Sequence, residues 1–286
     1  MTSGETPVQV GRRRRRAAAV GSSTDGSLRL GPADLALLKW LVDWRYATVA
    51  QAARLADRNH EALRRRIRRL EFEAGLVRTS RPLAGIPTVV MATARGSATV
   101  GKPTESPRLS HATLLHTLLV ADVAISYTLL GHEVVSERRI AARDMRTDGP
   151  LVWAGFRRRT HRWPHLPDAV VLPPAGGESR HRPEDDLMEH KGRRLRWRDR
   201  FPFPTEARLP LAVEVELVAK RPVEYRELCA GYRGAEHLSG VLYLTPEPSV
   251  AEAVSKAAEA TGLAQSGRFL VRPLVAFPGV TRHDER

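Results

Sequence analysis

Apolar residues first recur along this chain at helical spacing. Behind Pro32, which suits the first turn of a helix, Leu35, Leu38, Leu41 and Val42 share one face. Thr48 is placed to cap a short helix over Val49–Ala56, and Asn59 to cap another. In this third helix Leu63, Ile67, Leu70 and Ala74 form a continuous stripe, and Gly75 is the residue type that ends it. Two β-like runs follow, over 76–81 and 88–92, separated by Pro82, Gly85 and Pro87, which predicts a hairpin. Ala94-Arg95-Gly96 closes this unit, and the polar stretch 101–108 is expected to be a linker.

The second half changes period. Ser110 is a candidate cap for a long apolar helix over 114–130. Strands are expected over 133–137, 166–172, 211–218, 240–244 and 269–274, with helices over 223–232 and 249–261. Residues 143–165 show no clear period. Residues 175–208 are polar and rich in Arg, Pro and Gly, which predicts a basic insert. Residues 1–30 carry Gly, Ser, Thr and Arg with little to bury, the composition of a disordered tail.

Charge sharpens this outline. Lys and Arg number 46 against 32 Asp and Glu, a net charge of +14 with a pI near 10.9. Such an excess attracts polyanions. An arginine-biased genome would also produce it, but the arginines cluster at 12–16, 64–69 and 193–200. The apolar fraction of 42% suffices for a core. The single cysteine, Cys229, excludes an intramolecular disulfide and a multi-cysteine zinc site, and fits a reducing compartment. No apolar run approaches the ~20 residues that span a bilayer, and the segment after Arg16 is too short for a signal peptide. The expected location is the cytoplasm, with no membrane partner.

Three helices followed by a hairpin is the order of a winged helix-turn-helix, here over 31–100. With the apolar stripe of the third helix turned inward, Arg64, Arg65 and Arg68 fall on the opposite side with His60, while Arg66 and Arg69 flank the stripe. An exposed arginine face on such a helix suits the major groove of double-stranded DNA. A solvated helix face on a protein-interaction domain is the competing explanation. Many units of this kind pair as homodimers; that point stays open.

Along the strand at 211–218, Val213, Val215 and Leu217 alternate with Ala212, Glu214 and Glu216. Two carboxylates on one strand face are costly unless exposed, paired or bound to a cation. Asp168 opens another strand, and Lys220 lies just beyond the glutamates. Converging acids of this kind bind Mg²⁺ and can activate water for phosphodiester cleavage. Surface ion pairing of Glu214 and Glu216 with Lys220 and Arg221 is the plainer alternative.

Pro167-Asp168 followed by Glu214-Val215-Glu216 on an apolar strand resembles the signature of PD-(D/E)XK nucleases. That resemblance implies an α/β domain over 109–277, with Asp168, Glu214 and Glu216 as metal ligands and Lys220 stabilising developing charge. The chain departs from the pattern because Glu216 stands where the family carries lysine. A further family motif, Gln-x-x-x-Tyr, survives only as Leu228 to Tyr232. From about Pro32 to Leu274 the chain also resembles the replication-relaxation family of actinobacterial plasmids and integrative elements. The resemblance is carried by His116–Val123, Glu137-Arg138, Leu166–Ala169 and Glu214–Lys220. It implies an accessory role in plasmid or mobile-element replication and relaxation, alongside replication or transfer proteins.

The expected architecture is therefore two-domain, α+β and α/β. Three functions fit it: a DNA-binding accessory protein, a Mg²⁺-dependent nicking endonuclease, and a transcriptional regulator with a non-catalytic second domain. Other residues have plainer roles. His111 and His116 are spaced wrongly for a helical zinc pair and are expected to cap or line an interface. Asp122 is expected to be paired structurally and Cys229 to fill core. The arginines at 193–200 with Trp197 suit nucleic acid through charge and stacking, or a disordered solvated insert, which is the expectation.

Overall fold

The computed structural model describes residues 28–82, 84–102, 109–144, 165–173, 187–190, 193–196 and 209–274. The N-terminal tail, Trp197 and most of the basic insert lie outside the described residues.

The chain is mixed α and β. Helix α1 (Pro32–Trp44) leads through Arg45 directly into β1 (Tyr46–Thr48), followed by α2 (Val49–Ala56) and α3 (His60–Phe72). Strands β2 (Val77–Ser80) and β3 (Val89–Ala92) form the hairpin, and β1 joins it in an antiparallel sheet of order β1-β3-β2. Local chemistry explains the boundaries. Thr48 accepts from the Gln51 N–H while Gln51 reaches back to the Thr48 N–H, a reciprocal cap for α2. Asn59 accepts from the Glu61 and Ala62 N–H groups at the start of α3. Leu63, Ile67 and Leu70 are buried as the stripe requires, and Gly75 takes φ +62° just past the helix.

In α1 the buried set differs from expectation. Leu35 is exposed and Leu37 is buried in its place, because the apolar face is centred on Leu37, Leu38 and Leu41. Chain beyond Ala92 does not stop at Gly96 but forms α4 (Ala94–Thr99). A Cβ on Gly96 would lie 2.1 Å from the Leu76 carbonyl oxygen, so only glycine permits this approach.

The second half is built on a five-stranded sheet of order β10-β9-β8-β5-β4. Its elements are α5 (Leu114–Leu129), β4 (Val134–Ser136), α6 (Glu137–Asp144), β5 (Ala169–Val171), β8 (Leu211–Val215), α7 (Pro222–Gly234), β9 (Gly240–Thr245), α8 (Pro248–Thr261) and β10 (Phe269–Pro273). Between β5 and β8, β6 (Leu187–His190) and β7 (Arg193–Arg196) make a separate hairpin inside the expected insert. Strand β5 runs antiparallel to both β4 and β8, whereas β8, β9 and β10 are parallel and cross over through α7 and α8. Leu211, Val213 and Val215 pack towards α5, and Ala212 and Tyr243 towards α7 and α8. Both faces of the sheet are thus covered.

Three expectations change here. Ser110 does not cap α5, which starts later, after Thr113, with no side-chain cap. Helix α6 was not foreseen, since its residues are polar and lack a stripe. β8 ends at Val215, short of the expected 218: the Glu216 N–H makes a last bond to the Leu244 carbonyl, and Val218 is exposed.

The two halves share one core. Trp44, Tyr46, Val89 and Met91 belong to the same buried cluster as Leu118, Val123 and Tyr127 of α5. Each buried Leu, Val or aromatic side chain contributes about 1.5–3 kcal/mol. Polar contacts reinforce the junction. The Gln51 amide donates to the Leu118 carbonyl at 2.7 Å, and Arg54 pairs with Asp122 at 2.6 Å, which bears out the structural role expected of Asp122. The C-terminal carbonyls of α1 are capped from the other half: Arg138 donates to Val42 and the Ser136 hydroxyl to Asp43. Among the described residues, no helix is long and apolar enough to cross a membrane.

Candidate nucleic-acid interface and carboxylate cluster

On α3, His60, Arg64, Arg65 and Arg68 are exposed, as the stripe demands. Arg64 has only a loose contact with Glu61, 3.5 Å on the open surface. The neighbouring arginines are otherwise engaged. Arg66 makes a two-pronged pair with Asp34, at 2.9 and 2.5 Å, and Arg69 chelates Glu73. Structural pairing therefore takes the flanking arginines and leaves the outward three for a partner.

The acids lie at the far end of the larger sheet. Ser136 pairs with Ala169, and Ala169 with Val213. The Glu137 N–H donates to the Asp168 carbonyl at 3.1 Å, so the ladder runs one residue further. Extending both registers by one places Glu137, at the start of α6, beside Asp168, just ahead of β5, and Asp168 beside Glu214 of β8. Sequence patterning pointed to Asp168 and Glu214. Glu137 was part of a family resemblance only, because nothing in the run before it announces a strand end.

Asp168, Glu214 and Glu216 each have a protein donor on one carboxylate oxygen. Asp168 Oδ2 accepts from the Val215 N–H at 2.8 Å and lies 3.2 Å from His116 Nε2. His116 Nε2 is also 3.0 Å from the Val215 carbonyl. Both partners are acceptors, so Nε2 carries the proton. Burial opposes charge on this ring, yet Asp168, the Val215 carbonyl and Glu214 together raise its pKa. The role first given to His116, capping or lining an interface, is thus corrected: it is a partner of the acid row. Its position in the first turns of an apolar helix was the available signal.

Glu214 is buried, with Oε1 2.6 Å from His165 Nε2 and in contact with the Tyr232 hydroxyl, which donates to it. His165 was not singled out from the sequence, and Tyr232 only as a motif remnant. Glu216 pairs with Lys220, one of the ion pairs offered as the plainer alternative for these acids. Burial raises the Glu216 pKa, with Lys220 opposing and Glu214 and Asp168 adding to the rise. Glu137 is exposed at the cleft edge, yet desolvation of its carboxyl by the surrounding protein, and then the charges of Asp168 and Glu214, raise its pKa against the pull of Arg45 and His116. Burial, and then the charge of Glu214, push the Cys229 thiol up to about 12, consistent with a core role.

Glu137, Asp168 and His116 line a cleft of about 240 Å³ together with Arg45. Arg45 takes φ 70° and ψ −52°, a strained backbone for a side-chain-bearing residue, which turns α1 abruptly into β1 at the cleft wall. Val215 engages Asp168 Oδ2, His165 and Tyr232 engage Glu214 Oε1, and Lys220 engages Glu216 Oε2; among the described residues no three His, Cys, Asp or Glu side chains converge as a ligand set. Asp168 and Glu214 are brought together; Glu216 sits beyond them with Lys220.

No family model, curated protein or solved structure matches the chain.

Proposed function

We propose that this protein binds double-stranded DNA through α3, as the recognition helix of a winged helix-turn-helix. The observation that carries the reading is the outward set Arg64, Arg65 and Arg68, left without strong acidic partners while Arg66 and Arg69 are held by Asp34 and Glu73. An accessory role in plasmid or mobile-element replication, beside replication or transfer proteins, follows from the family resemblance. The sheet domain serves as a scaffold in which Asp168, Glu214 and Glu216 pair with the protein's own donors, an arrangement a transcriptional regulator would share. The test is duplex binding by fluorescence anisotropy. Wild type is expected to bind with a steep salt dependence, and the Arg64→Ala/Arg65→Ala/Arg68→Ala variant to lose it. Equal binding by both proteins moves the interface elsewhere.

A second reading, a nicking endonuclease of PD-(D/E)XK type, is favoured by one observation: the sheet register, extended by one residue, brings Glu137, Asp168 and Glu214 side by side at the ends of β4, β5 and β8. Supercoiled plasmid with Mg²⁺ or Mn²⁺ decides it. Nicking that disappears in Asp168→Ala establishes the activity; nicking that survives the substitution assigns it to other residues.

A further inference from the structure

On α3, His60, Arg64, Arg68 and Phe72 recur every fourth residue and so follow one face of the helix. Over that span the helix rises roughly 18 Å. This face is one wall of a groove of about 570 Å³, and the hairpin, with Thr79, Arg81 and Thr88, is the other. The groove is built, not incidental. Glu71 ties hairpin to helix, its carboxylate accepting from the Thr79 N–H at 2.7 Å and from the Thr79 hydroxyl at 2.9 Å. Arg81 Nε donates to the Thr88 hydroxyl at 3.2 Å and braces the hairpin across its base.

Two properties of the groove point to one ligand chemistry. Its cationic wall calls for a polyanion. At the end of that wall Phe72 is 81% exposed, the most exposed of the large apolar side chains described. A phosphate backbone makes no use of a phenyl ring, whereas a nucleobase stacks on it. A base inside an intact duplex presents only its edge, so stacking requires a base that is unpaired or turned out of the helix.

We propose that the groove between α3 and the hairpin takes a locally unpaired segment of DNA, its phosphates along Arg64, Arg68 and Arg81 and one base stacked on Phe72. The inference rests on the reading of α3 as a DNA interface and adds the form of DNA preferred: duplex with an opened or bulged stretch.

The experiment uses the full chain, a short labelled duplex, and the same duplex with a small bulge carrying 2-aminopurine. Wild type is expected to bind the bulged duplex more tightly and to quench the 2-aminopurine. Phe72→Ala should lose roughly tenfold in affinity for the bulged duplex. It should also lose the quench and keep its affinity for the intact duplex, while Phe72→Trp restores both signals. Phe72 is exposed, so the variant should melt as wild type does. The proposal is overturned if Phe72→Ala binds the bulged duplex as wild type does, if it loses both DNAs equally, or if its only change is in self-association. Should wild type bind neither DNA, the reading of α3 falls as well. Should the arginine variant lose duplex binding while Phe72→Ala is silent, this inference alone falls.

Discussion

Arg54 of α2 and Asp122 of α5 meet at 2.6 Å, and the carboxylate side chain is only 4% exposed. The pair joins the helical unit that carries α3 to the helix beneath the larger sheet. Burial alone would lower the Arg54 pKa, and the charge and hydrogen bond of Asp122 oppose that. Asp122→Ala would strand the guanidinium in a largely desolvated position. We expect a loss of about 3 kcal/mol in urea unfolding, the lower end for a broken buried pair because Arg54 keeps some solvent contact. A loss below about 1 kcal/mol would mean that water already screens the pair.

Glu214 is buried against the Tyr232 hydroxyl. Tyr232→Phe removes that donor without changing shape and leaves His165 as the partner on the same oxygen. The expected cost is about 1–2 kcal/mol. No cost on chemical denaturation would show that water replaces the hydroxyl.

His116 makes stability depend on pH. Although burial disfavours its charge, Asp168, the Val215 carbonyl and Glu214 hold its folded pKa above the ordinary 6.5. The stabilisation is therefore complete below the unfolded pKa of about 6.5 and is lost as pH rises through the folded value. Urea midpoints for wild type and His116→Gln should differ most at about pH 6 and converge towards about pH 8. A difference that grows with pH would reverse the assignment.

Salt dependence separates the three outward arginines from a general basic field. If each contacts one phosphate, the triple alanine variant lowers the slope of log affinity against log salt by roughly 2.7. An unchanged slope with weaker binding would point to a folding defect instead.

Gly96→Ala places a methyl group against the Leu76 carbonyl, with the Leu38 side chain also within reach. Overpacking of this kind costs about 1–3 kcal/mol. A thermal midpoint equal to that of wild type would mean that α4 can swing away freely.

Much of this architecture was legible because period and punctuation agreed. The stripe Leu63–Ile67–Leu70 between Asn59 and Gly75 defines α3, and the dense apolar run at 211–215 defines β8, buried on both faces. Elements without either signal were missed. β1 is three residues between two helices, and α6 is a polar helix beginning where a strand ends. The acid row was half legible: Asp168 and Glu214 stand on patterned strands. Its partners His116, His165 and Tyr232 come from separate segments, and only the sheet register and the crossover through α7 bring them to one place.

The cluster that unites Trp44, Tyr46, Val89 and Met91 with α5 has a practical meaning for modularity. A fragment ending near residue 102 would bare two large aromatic side chains and a strand face to water, and would clump rather than stand as a detachable module. Shuffling this unit onto another body, by recombination or in the laboratory, would require α5 to travel with it.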